Sequence, residues 1–524
     1  MKPLRNFIGI TALLVTSAWG ASAQTSAIQR GMDAITVGTL KAQEDFLASH
    51  WMEGRYSTEK GAMLASDYIA SMLGVYGIQP AGDGNSYFQT FNLIRYAHPT
   101  NERMEIAYGG NVAMPTPNVD YYIRSRRVQG SFRIDGQAVY AGYGLYLPQY
   151  GIDSYGKMDV RGKVLVVHPF TEEHLKNAVF GTKELSYQEK AKVLANTESE
   201  AKRRGAAAVI FVMSESEVGN TIPHLGKATS VAEDILGLPA DTLSAQPLSF
   251  NVSRVYLRSA LAGINVESAP ANLNQKAVAT KANIRIAGDA SGEVCKVRNV
   301  VGVIKGQDTT RCVVVGAHYD HYGLWGSTLY PGADDNASGT VGVLTIAKAF
   351  KESGIKPKVS IVFGLWTCEE KGLWGSTYYT RNPYIPMANT MMYINYDMIG
   401  RSLPKDTLSR EASFFYYDKD TTIKSETLKL NAQMGNPLSL RARPTTGGPG
   451  SRSDHGPFSM YKIPFMGWMT AWHTDYHQPT DTPDKIDYIK MQKVARIGFL
   501  TLLRYANLGV VNMDSGVVFK QEGR

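Results

Sequence analysis

The sequence predicts an α/β fold: a mostly parallel, doubly wound sheet with helices on both faces, into which a β-rich domain is inserted. Residues 313–315, 361–363 and 391–394 are apolar without alternation, which is typical of strands buried on both faces. Between the first two runs, residues 337–350 repeat apolar side chains at helical spacing. Strand, helix and strand in this order predict a parallel sheet with crossover helices.

The first 23 residues predict a secretion signal. Lys2 and Arg5 form a basic start, residues 7–19 an apolar stretch, and Ala21-Ser22-Ala23 a cleavage signature. A membrane anchor would need about 20 apolar residues, and this run is shorter. We therefore expect a secreted or periplasmic protein with no stable membrane insertion after cleavage.

A length of 524 residues predicts more than one domain. Residues 24–130 are expected to form the N-terminal part of the main domain, residues 131–280 the inserted β-rich domain, and residues 281–524 the rest of the main domain. The insert has short β runs and Gly-rich turns, and its histidines stand apart from acidic residues. They are His168, His174 and His224. We expect these histidines to be surface or packing residues, and we assign no chemistry to the insert.

Cysteine content and charge argue against two classes of protein. Three cysteines in a secreted chain are too few for a disulfide scaffold, and we expect free thiols. The formal net charge is +8, but the basic residues are scattered. Their densest group, Arg124, Arg126 and Arg127, is typical of a solvated strand. Because a nucleic-acid site would need a longer basic patch with interleaved aromatic residues, we expect no nucleic-acid partner.

Acidic residues and histidines come directly after the predicted strands or before the predicted helix. They are His318, Asp320, Asp335, Glu369, Glu370 and Asp397. Because ligands bind beyond the carboxyl ends of the strands in such sheets, we expect these side chains to gather there. Carboxylates crowded together repel one another unless a cation lies among them, so the cluster predicts a metal site. With His477 as a further imidazole, the residue types suit zinc, manganese or cobalt.

The cluster has enough ligands for two metal ions that share one carboxylate. One ion would take His318, Asp335 and Asp397, and the other Asp335, Glu370 and His477, each with an open position. Two such ions hold a water between them and lower its pKa towards neutrality.

Two further acidic residues would then be free of metal. If Glu370 points at a metal ion, its neighbour Glu369 need not be a ligand and can take the proton of that water. Asp320 lies two residues after His318, on the same face of an extended segment, where it can accept the imidazole N–H.

Five motifs, in this order and at this approximate spacing, resemble those of the M28 family of di-zinc peptidases, of which bacterial secreted leucine aminopeptidases are typical. The motifs are V-V-V-G-A-H-Y-D-H, P-G-A-D-D-N-A-S-G, S-I-V-F-G-L-W-T-C-E-E, M-M-Y-I-N-Y-D-M-I-G and Y-H-Q-P-T-D-T-P-D-K. Residues 131–280 resemble the protease-associated (PA) domain that is inserted in many members of this family.

The resemblance implies a zinc-exopeptidase-like fold and two Zn²⁺ ions per chain. It implies that His318 and Asp397 bind one ion, that Glu370 and His477 bind the other, and that Asp335 bridges them. It also implies that Glu369 is the general base and that Asp320 is the partner of the His318 imidazole. The step from Asp335 to Asn336 resembles the point at which the family carries a cis peptide bond.

Our interpretation is a secreted zinc-dependent exopeptidase that removes N-terminal residues from peptides with a free N-terminus, through a metal-bridged water activated by Glu369. A free α-amine suits an acidic metal centre, and amine and scissile carbonyl then belong to the same residue. The nearest alternative is an M28-type carboxypeptidase of the glutamate-releasing kind, which would need cations for the terminal carboxylate. Candidate cations are Arg441, Arg443 and Arg452.

Two other classes fit the sequence less well. A glutaminyl-cyclase-like acyltransferase uses a single zinc, and the presence of His318, Asp320 and Asp397 argues against it. A receptor-like ectodomain without metals would not need the intact ligand set together with Glu369.

The region before His477 contains further candidates. Ser453, Asp454 and His455 are consecutive and therefore cannot form a serine-hydrolase triad. His455 and His473 are candidate neighbours of the metal ligands. An apolar group could either line a side-chain pocket or pack in the core. Its members are Phe458, Met466, Trp468, Met469 and Trp472.

Overall fold

The structure, a computed structural model, describes residues 26–96, 99–124, 130–181, 185, 187–218, 231–232, 248–418, 420–447 and 451–507. The predicted secretion signal, Arg126, Arg127 and His224 lie outside the described residues. The chain divides into two compact units: unit 1 comprises Met1–Phe91 and Lys296–Arg524, and unit 2 comprises Asn92–Cys295. Unit 2 is thus wider than the predicted insert of residues 131–280, whose identity as a PA domain stays a prediction.

The helices and strands follow one another along both units. The helices are α1 (residues 26–34), α2 (Val37–Leu47), α3 (Lys60–Val75), α4 (Tyr187–Leu194), α5 (Asn196–Arg203), α6 (residues 215–218), α7 (Arg254–Ala260), α8 (Gly339–Ser353), α9 (Trp374–Arg381), α10 (Thr421–Ala432), α11 (His455–Met460) and α12 (Tyr488–Ala506). The strands are β1 (Gln79–Pro80), β2 (Phe88–Tyr96), β3 (Thr100–Tyr108), β4 (Asn111–Ala113), β5 (Tyr121–Arg124), β6 (Gly130–Tyr140), β7 (Tyr146–Leu147), β8 (Ile152–Asp153), β9 (Val164–Val167), β10 (Ala208–Met213), β11 (Val231–Ala232), β12 (Leu248–Ser253), β13 (Val278–Ala290), β14 (Gly292–Ile304), β15 (Asp308–His318), β16 (Gly323–Trp325), β17 (Thr328–Tyr330), β18 (Val359–Trp366), β19 (Thr390–Tyr396), β20 (Glu411–Tyr417), β21 (Ser439–Thr445) and β22 (Phe465–Met469).

The central sheet of unit 1 runs in the order β14-β18-β15-β19-β22-β20-β21. Strands β18, β15, β19 and β22 pair in parallel, and β14 and β20 flank them antiparallel. Val313 lies opposite Ile361 on one side and Met392 on the other, so the three predicted apolar runs are neighbours in the sheet. The prediction of an α/β fold with a mostly parallel sheet is confirmed.

Helices cover both faces of this sheet, because successive residues of a strand point to opposite sides. Val313 and Val315 of β15 lie in a core with residues of α2, α3, α8 and α12. Cys312 and Val314 lie in a second core with Tyr379 of α9 and Phe458 of α11. The two cores hold β15, β18 and β19 in place, and with them the ends from which the candidate ligands project.

The predicted crossover helix is α8, which begins two residues later than the apolar pattern suggested. Its apolar face, including Val343, Ile346 and Phe350, is buried, and it ends at Gly354, whose φ of 70° is left-handed. The predicted C-terminal helix is α12, which begins after Asp487, where the Asp487 side chain accepts a hydrogen bond from the Lys490 amide at 3.0 Å.

Unit 2 contains a separate mixed sheet in the order β4-β3-β13-β6-β9-β10-β12-β5. Strands β6, β9, β10 and β12 pair in parallel, whereas β13 pairs antiparallel with β3 and β6. Its core is built from apolar residues of these strands and of α7, including Val166, Ile210, Phe250 and Leu257. Unit 2 therefore has its own buried core, as expected of a domain.

Two further sequence-based expectations can be compared with the structure. Cys295, Cys312 and Cys368 are free thiols, as predicted. Within the part of the chain that the structure describes, no helix is both long enough and apolar enough to cross a membrane.

Candidate metal centre

The candidate ligands project from the carboxyl ends of three adjacent parallel strands. Strand β15 ends at His318, β18 ends three residues before Glu369 and four before Glu370, and β19 ends one residue before Asp397. Asp335 lies in the irregular turn that leads into α8. Because the three strands are neighbours and point the same way, these side chains meet at one edge of the sheet.

The turn that carries Asp335 contains a cis peptide bond between Asp335 and Asn336. The Asn336 side chain donates to the carbonyl of Tyr396 at 2.9 Å and accepts from the amides of Gly339 at 2.9 Å and Met398 at 3.2 Å. The start of α8 is therefore tied to the segment on either side of Asp397.

His318 lies at the centre of a first group of ligand atoms. Its Nε2 atom is 3.4 Å from Asp335 Oδ1, 3.6 Å from Asp397 Oδ1 and 3.9 Å from Glu369 Oε2. His318 is 1 % exposed, whereas the side chains of Glu369 and Asp397 are 11 % and 19 % exposed, so the site is open to water on the side of these carboxylates.

His477 belongs to a second group on the other side of Asp335. Its Nε2 atom is 3.1 Å from Asp335 Oδ2 and 3.5 Å from Glu370 Oε2, and its Nδ1 atom is 3.2 Å from the Tyr322 hydroxyl. The two oxygens of Asp335 thus face different imidazoles, which is the arrangement that a carboxylate shared by two metal ions requires.

The donor atoms fit metal ions. Among the described residues, two groups have ligand atoms that lie within 4.8 Å of one another; one contains His318, Glu369 and Asp397, the other His321, Asp335 and Glu370. Imidazole nitrogens and carboxylate oxygens are the donors that catalytic zinc takes in proteins. Burial and the neighbouring Glu370 raise the pKa of Asp335 to about 8. A bound cation would offset this repulsion and hold the carboxylate ionised.

Glu369 and Glu370 are adjacent in sequence but have different surroundings. Burial would raise the pKa of Glu370, but the hydrogen bond from His321 and the nearby His477 and His318 rings lower it to about 2. Burial raises the pKa of Glu369 well above its usual value, with His318 opposing the shift and Glu370 adding to it. Glu370 therefore favours the ionised state that a ligand needs, and Glu369 favours the protonated state.

Asp320 departs in one contact from the sequence-based expectation. Its carboxylate Oδ1 is 3.9 Å from His318 Nδ1. The main-chain carbonyl of Asp320 is nearer to the same nitrogen, at 3.2 Å. The carboxylate instead accepts from the main-chain amide of Glu369 at 3.0 Å and from the Ser57 hydroxyl at 2.8 Å. The same-face argument applies to extended chain, and β15 already ends at His318.

Several residues that contact the candidate ligands were not assigned from the sequence. The Ser453 hydroxyl donates to Asp397 Oδ2 at 2.6 Å and accepts from the Asn395 side chain at 2.8 Å. His321 Nδ1 lies 2.9 Å from Glu370 Oε1. Ser453 and His321 both lie in sequence segments named above. That position was the only feature of the sequence that could have indicated their contacts with the ligands.

Arg55 was also not assigned from the sequence, and it contacts the backbone near the candidate ligands rather than their side chains. Its buried guanidinium donates to the carbonyls of Tyr319, Pro331 and Gly332 at 2.7–2.8 Å and to that of Leu47 at 2.6 Å. These carbonyls include the segments directly after His318 and before Asp335. Arg55 therefore supports the backbone on which two candidate ligands stand.

The remaining candidates divide between the site and the core. His473 Nε2 lies 3.1 Å from Asp334 Oδ2, whereas His455 is buried between the rings of Phe415 and Phe465. Of the apolar candidates, Phe458, Met466 and Trp468 are fully buried in the core, and Trp472 is 54 % exposed. Arg441, Arg443 and Arg452 are exposed.

Part of the chain is similar in sequence to proteins of a known family. Residues 299–501 match the profile of Peptidase family M28. Leupeptin-inactivating enzyme 1 of Streptomyces exfoliatus is 35% identical over 170 residues, which are 32% of this chain and 35% of that protein. Leucine aminopeptidase 2 of Arthroderma otae is 38% identical over 103 residues, which are 20% of this chain and 19% of that protein. The chain thus spans about a third or less of the length of these relatives.

Solved structures show the same fold over most of the chain. The aminopeptidase from Aneurinibacillus sp. strain AM-1 is similar with a TM-score of 0.60 and 18% identity, covering 92% of this chain and 97% of that one. The zinc aminopeptidase BSAP from Bacillus subtilis is similar with a TM-score of 0.53 and 17% identity, covering 94% of this chain and 97% of that one. At these identities the similarity establishes the fold.

Proposed function

Because residues 299–501 match peptidase family M28, we propose that this chain is a secreted zinc-dependent aminopeptidase. The observation that carries the proposal is the position of Asp335, whose oxygens lie 3.4 Å from His318 Nε2 and 3.1 Å from His477 Nε2. A carboxylate that faces an imidazole on each side supports a pair of metal ions rather than one. Relatives named as aminopeptidases agree with this choice.

The proposal assigns two Zn²⁺ ions to the centre. His318, Asp335 and Asp397 would hold the first ion, and Asp335, Glu370 and His477 the second. When bound, zinc supplies a Lewis acid for the scissile carbonyl oxygen and lowers the pKa of water.

Glu369 is the proposed general base. Asp320 accepts a hydrogen bond from the Glu369 amide at 3.0 Å and so fixes the backbone from which this side chain extends. Bound zinc would oppose the raised pKa of Glu369, so that the ionised carboxylate can take a proton from water and then give it to the leaving amine. The Glu369 carboxyl lies 3.9 Å from His318 Nε2, beside the proposed ligands.

The proposed substrate is a peptide with a free N-terminus. Four carboxylates, those of Asp335, Glu369, Glu370 and Asp397, surround the candidate centre, where a free α-amine can approach a carboxylate or coordinate one zinc ion. A carboxypeptidase would instead need cations beside the metals. Of its three candidates, Arg441 and Arg443 stand exposed on strand β21, whereas Arg452 is exposed and directly precedes Ser453, which donates to Asp397.

The test compares matched peptides with a free N-terminus, an acetylated N-terminus or an amidated C-terminus, with and without chelator, and follows the products by mass. We expect acetylation to abolish cleavage, amidation to leave it nearly unchanged and chelation to stop it. The reverse pattern for the two blocked peptides would replace the aminopeptidase by a carboxypeptidase. Elemental analysis should give two zinc ions per chain, and full activity with one ion would contradict the shared role of Asp335.

Secretion is proposed from the sequence of the first 23 residues. Fractionation of expressing cells, with N-terminal sequencing of the exported protein, should give a mature chain that begins after Ala23. An uncleaved chain retained in the cytoplasm would refute this part of the proposal.

A further inference from the structure

The loop between β22 and α12 carries His477 in an uncommon backbone conformation. The φ of His477 is 57°, in the left-handed region that few residues other than glycine adopt. Such a conformation persists only where the surroundings determine it. The contacts of this loop therefore decide where the His477 imidazole lies.

The far end of the loop is tied to the backbone of Asp335. The fully buried carboxylate of Asp481 accepts from the amides of Asp334 at 3.0 Å and Asp335 at 3.1 Å. The main-chain carbonyl of Asp481 also accepts from the Ala333 amide at 3.1 Å. The loop that supplies His477 thus also holds the turn that supplies the carboxylate facing it.

Asp334 makes a second connection between the same segments. Its Oδ1 atom accepts from the Gly400 amide at 2.6 Å, and its Oδ2 atom lies 3.1 Å from His473 Nε2. Asp334 therefore ties the chain after Asp397 to the start of the His477 loop.

Arg401 spans this loop with one guanidinium group. Its Nη2 atom donates to Asp475 at 2.7 Å and its Nη1 atom lies 3.5 Å from Asp481. These two carboxylates stand on either side of His477 in sequence, and Arg401 itself is 9 % exposed. Loss of Arg401 would leave Lys485, at 2.7 Å, as a cation beside Asp475 and would remove a cation 3.5 Å from the fully buried Asp481, so the loop should shift.

We propose that Arg401 is a positioning residue that holds His477 against Asp335 and thereby sets how firmly the zinc ion shared by these two residues is retained. The inference rests on the proposed function, since it presumes the two zinc ions. It assigns Arg401 no contact with substrate, because its described partners are the two carboxylates of the loop. The ion assigned to His318 and Asp397 depends less on Arg401, because His318 ends strand β15 and Asp397 directly follows strand β19.

The experiment measures zinc per chain in the full-length holoenzyme during timed dialysis against a chelator, together with kcat and KM. In Arg401→Met, one of the two ions should leave up to about 10–100-fold faster than in the unmodified protein, the range by which loss of contacts around the ligands lowers metal affinity. The release of the second ion should be accelerated much less, and Arg401→Lys should recover part of the difference.

Two further variants separate positioning from general destabilisation. Arg504→Met removes a cation of α12 that pairs with Glu426 at 2.9 Å, and it should leave both release rates unchanged. Asp475→Asn breaks one of the two Arg401 contacts and should reproduce part of the effect of Arg401→Met, and adding it to Arg401→Met should change little more.

The outcomes distinguish the inference from the proposed function. Two zinc ions in the unmodified protein with unchanged release in Arg401→Met would overturn the inference alone. Equal acceleration of both ions, or the same acceleration in Arg504→Met, would also overturn it. An unmodified protein that takes up no zinc would overturn the proposed function and the inference together.

Discussion

Units 1 and 2 use the same construction in their sheets, but they differ in the residues that come directly after the strands. Strands β18 and β19 of unit 1 and β9 and β12 of unit 2 are buried along their whole length and pair with parallel neighbours. In unit 1 the chain continues into Glu369, Glu370 and Asp397. In unit 2 it continues from β9 into His168, and from β12 into Arg254.

The difference shows that a buried parallel sheet supplies a place for chemistry without supplying the chemistry itself. Among the described residues, both groups that could hold a metal ion lie in unit 1. His168 of unit 2 is 5 % exposed and packs edge-on against the rings of Tyr140 and Tyr143. The same residue type is therefore a candidate ligand in one unit and a packing residue in the other.

The largest effect is expected from Glu369→Gln, which removes the proposed base of unit 1 without removing a proposed ligand. Turnover should fall about 10²–10⁴-fold, the usual contribution of general acid–base catalysis, while zinc content stays near two per chain. Peptide hydrolysis and elemental analysis of the same preparation give both numbers. Loss of zinc would show that Glu369 and Glu370 have exchanged roles. The control is Glu426→Gln, which makes the same chemical change on α10.

A smaller effect is expected from Ser453→Ala, which tests whether the surroundings of a ligand matter in unit 1. The Ser453 hydroxyl donates to Asp397 at 2.6 Å, and its loss frees the Asp397 carboxylate to turn. Zinc affinity should fall about 10–100-fold, measured by competition with a chelator of known affinity. Ser459→Ala removes a hydroxyl that donates to the Gly456 carbonyl instead, and an equal loss there would contradict the assignment.

The smallest effect on activity is expected in unit 2, from His168→Gln. Burial, aided by Arg254, lowers the pKa of His168 to about 4 from an ordinary value of 6.5. The unfolded chain therefore binds this proton at a higher pH than the folded chain. The contribution of neutral His168 to the free energy of unfolding is fully present above about pH 6.5 and is lost as the pH falls towards 4.

Urea unfolding at pH 7 and pH 4.5 measures this dependence. His168→Gln should lose less stability between the two pH values than the unmodified protein, and peptide hydrolysis at pH 7 should be nearly unchanged. A large loss of hydrolysis would contradict the stated difference between units 1 and 2, because unit 2 would then contribute directly to the chemistry.

Residues at strand ends could be predicted from sequence because their position is a local property. An apolar run followed by His318, by Glu369 and Glu370, or by Asp397 places each group at the same edge once the strands pair in parallel. The helix before β18 was predicted to begin at Ala337, but α8 begins two residues later, at Gly339. Such boundaries depend on the turn, and here the turn is shaped by the contacts of Asn336.

The sequence by itself therefore determined the fold class, the edge of the sheet and the residue types that gather there. Only the tertiary structure decided that Asp320 holds the Glu369 amide, that Ser453 holds Asp397 and that Arg401 spans the two sides of the His477 loop. The physical reason is that strands follow from the pattern of neighbouring residues. The orientation of a ligand instead depends on hydrogen bonds and ion pairs between segments far apart in sequence, which exist only after the chain has folded.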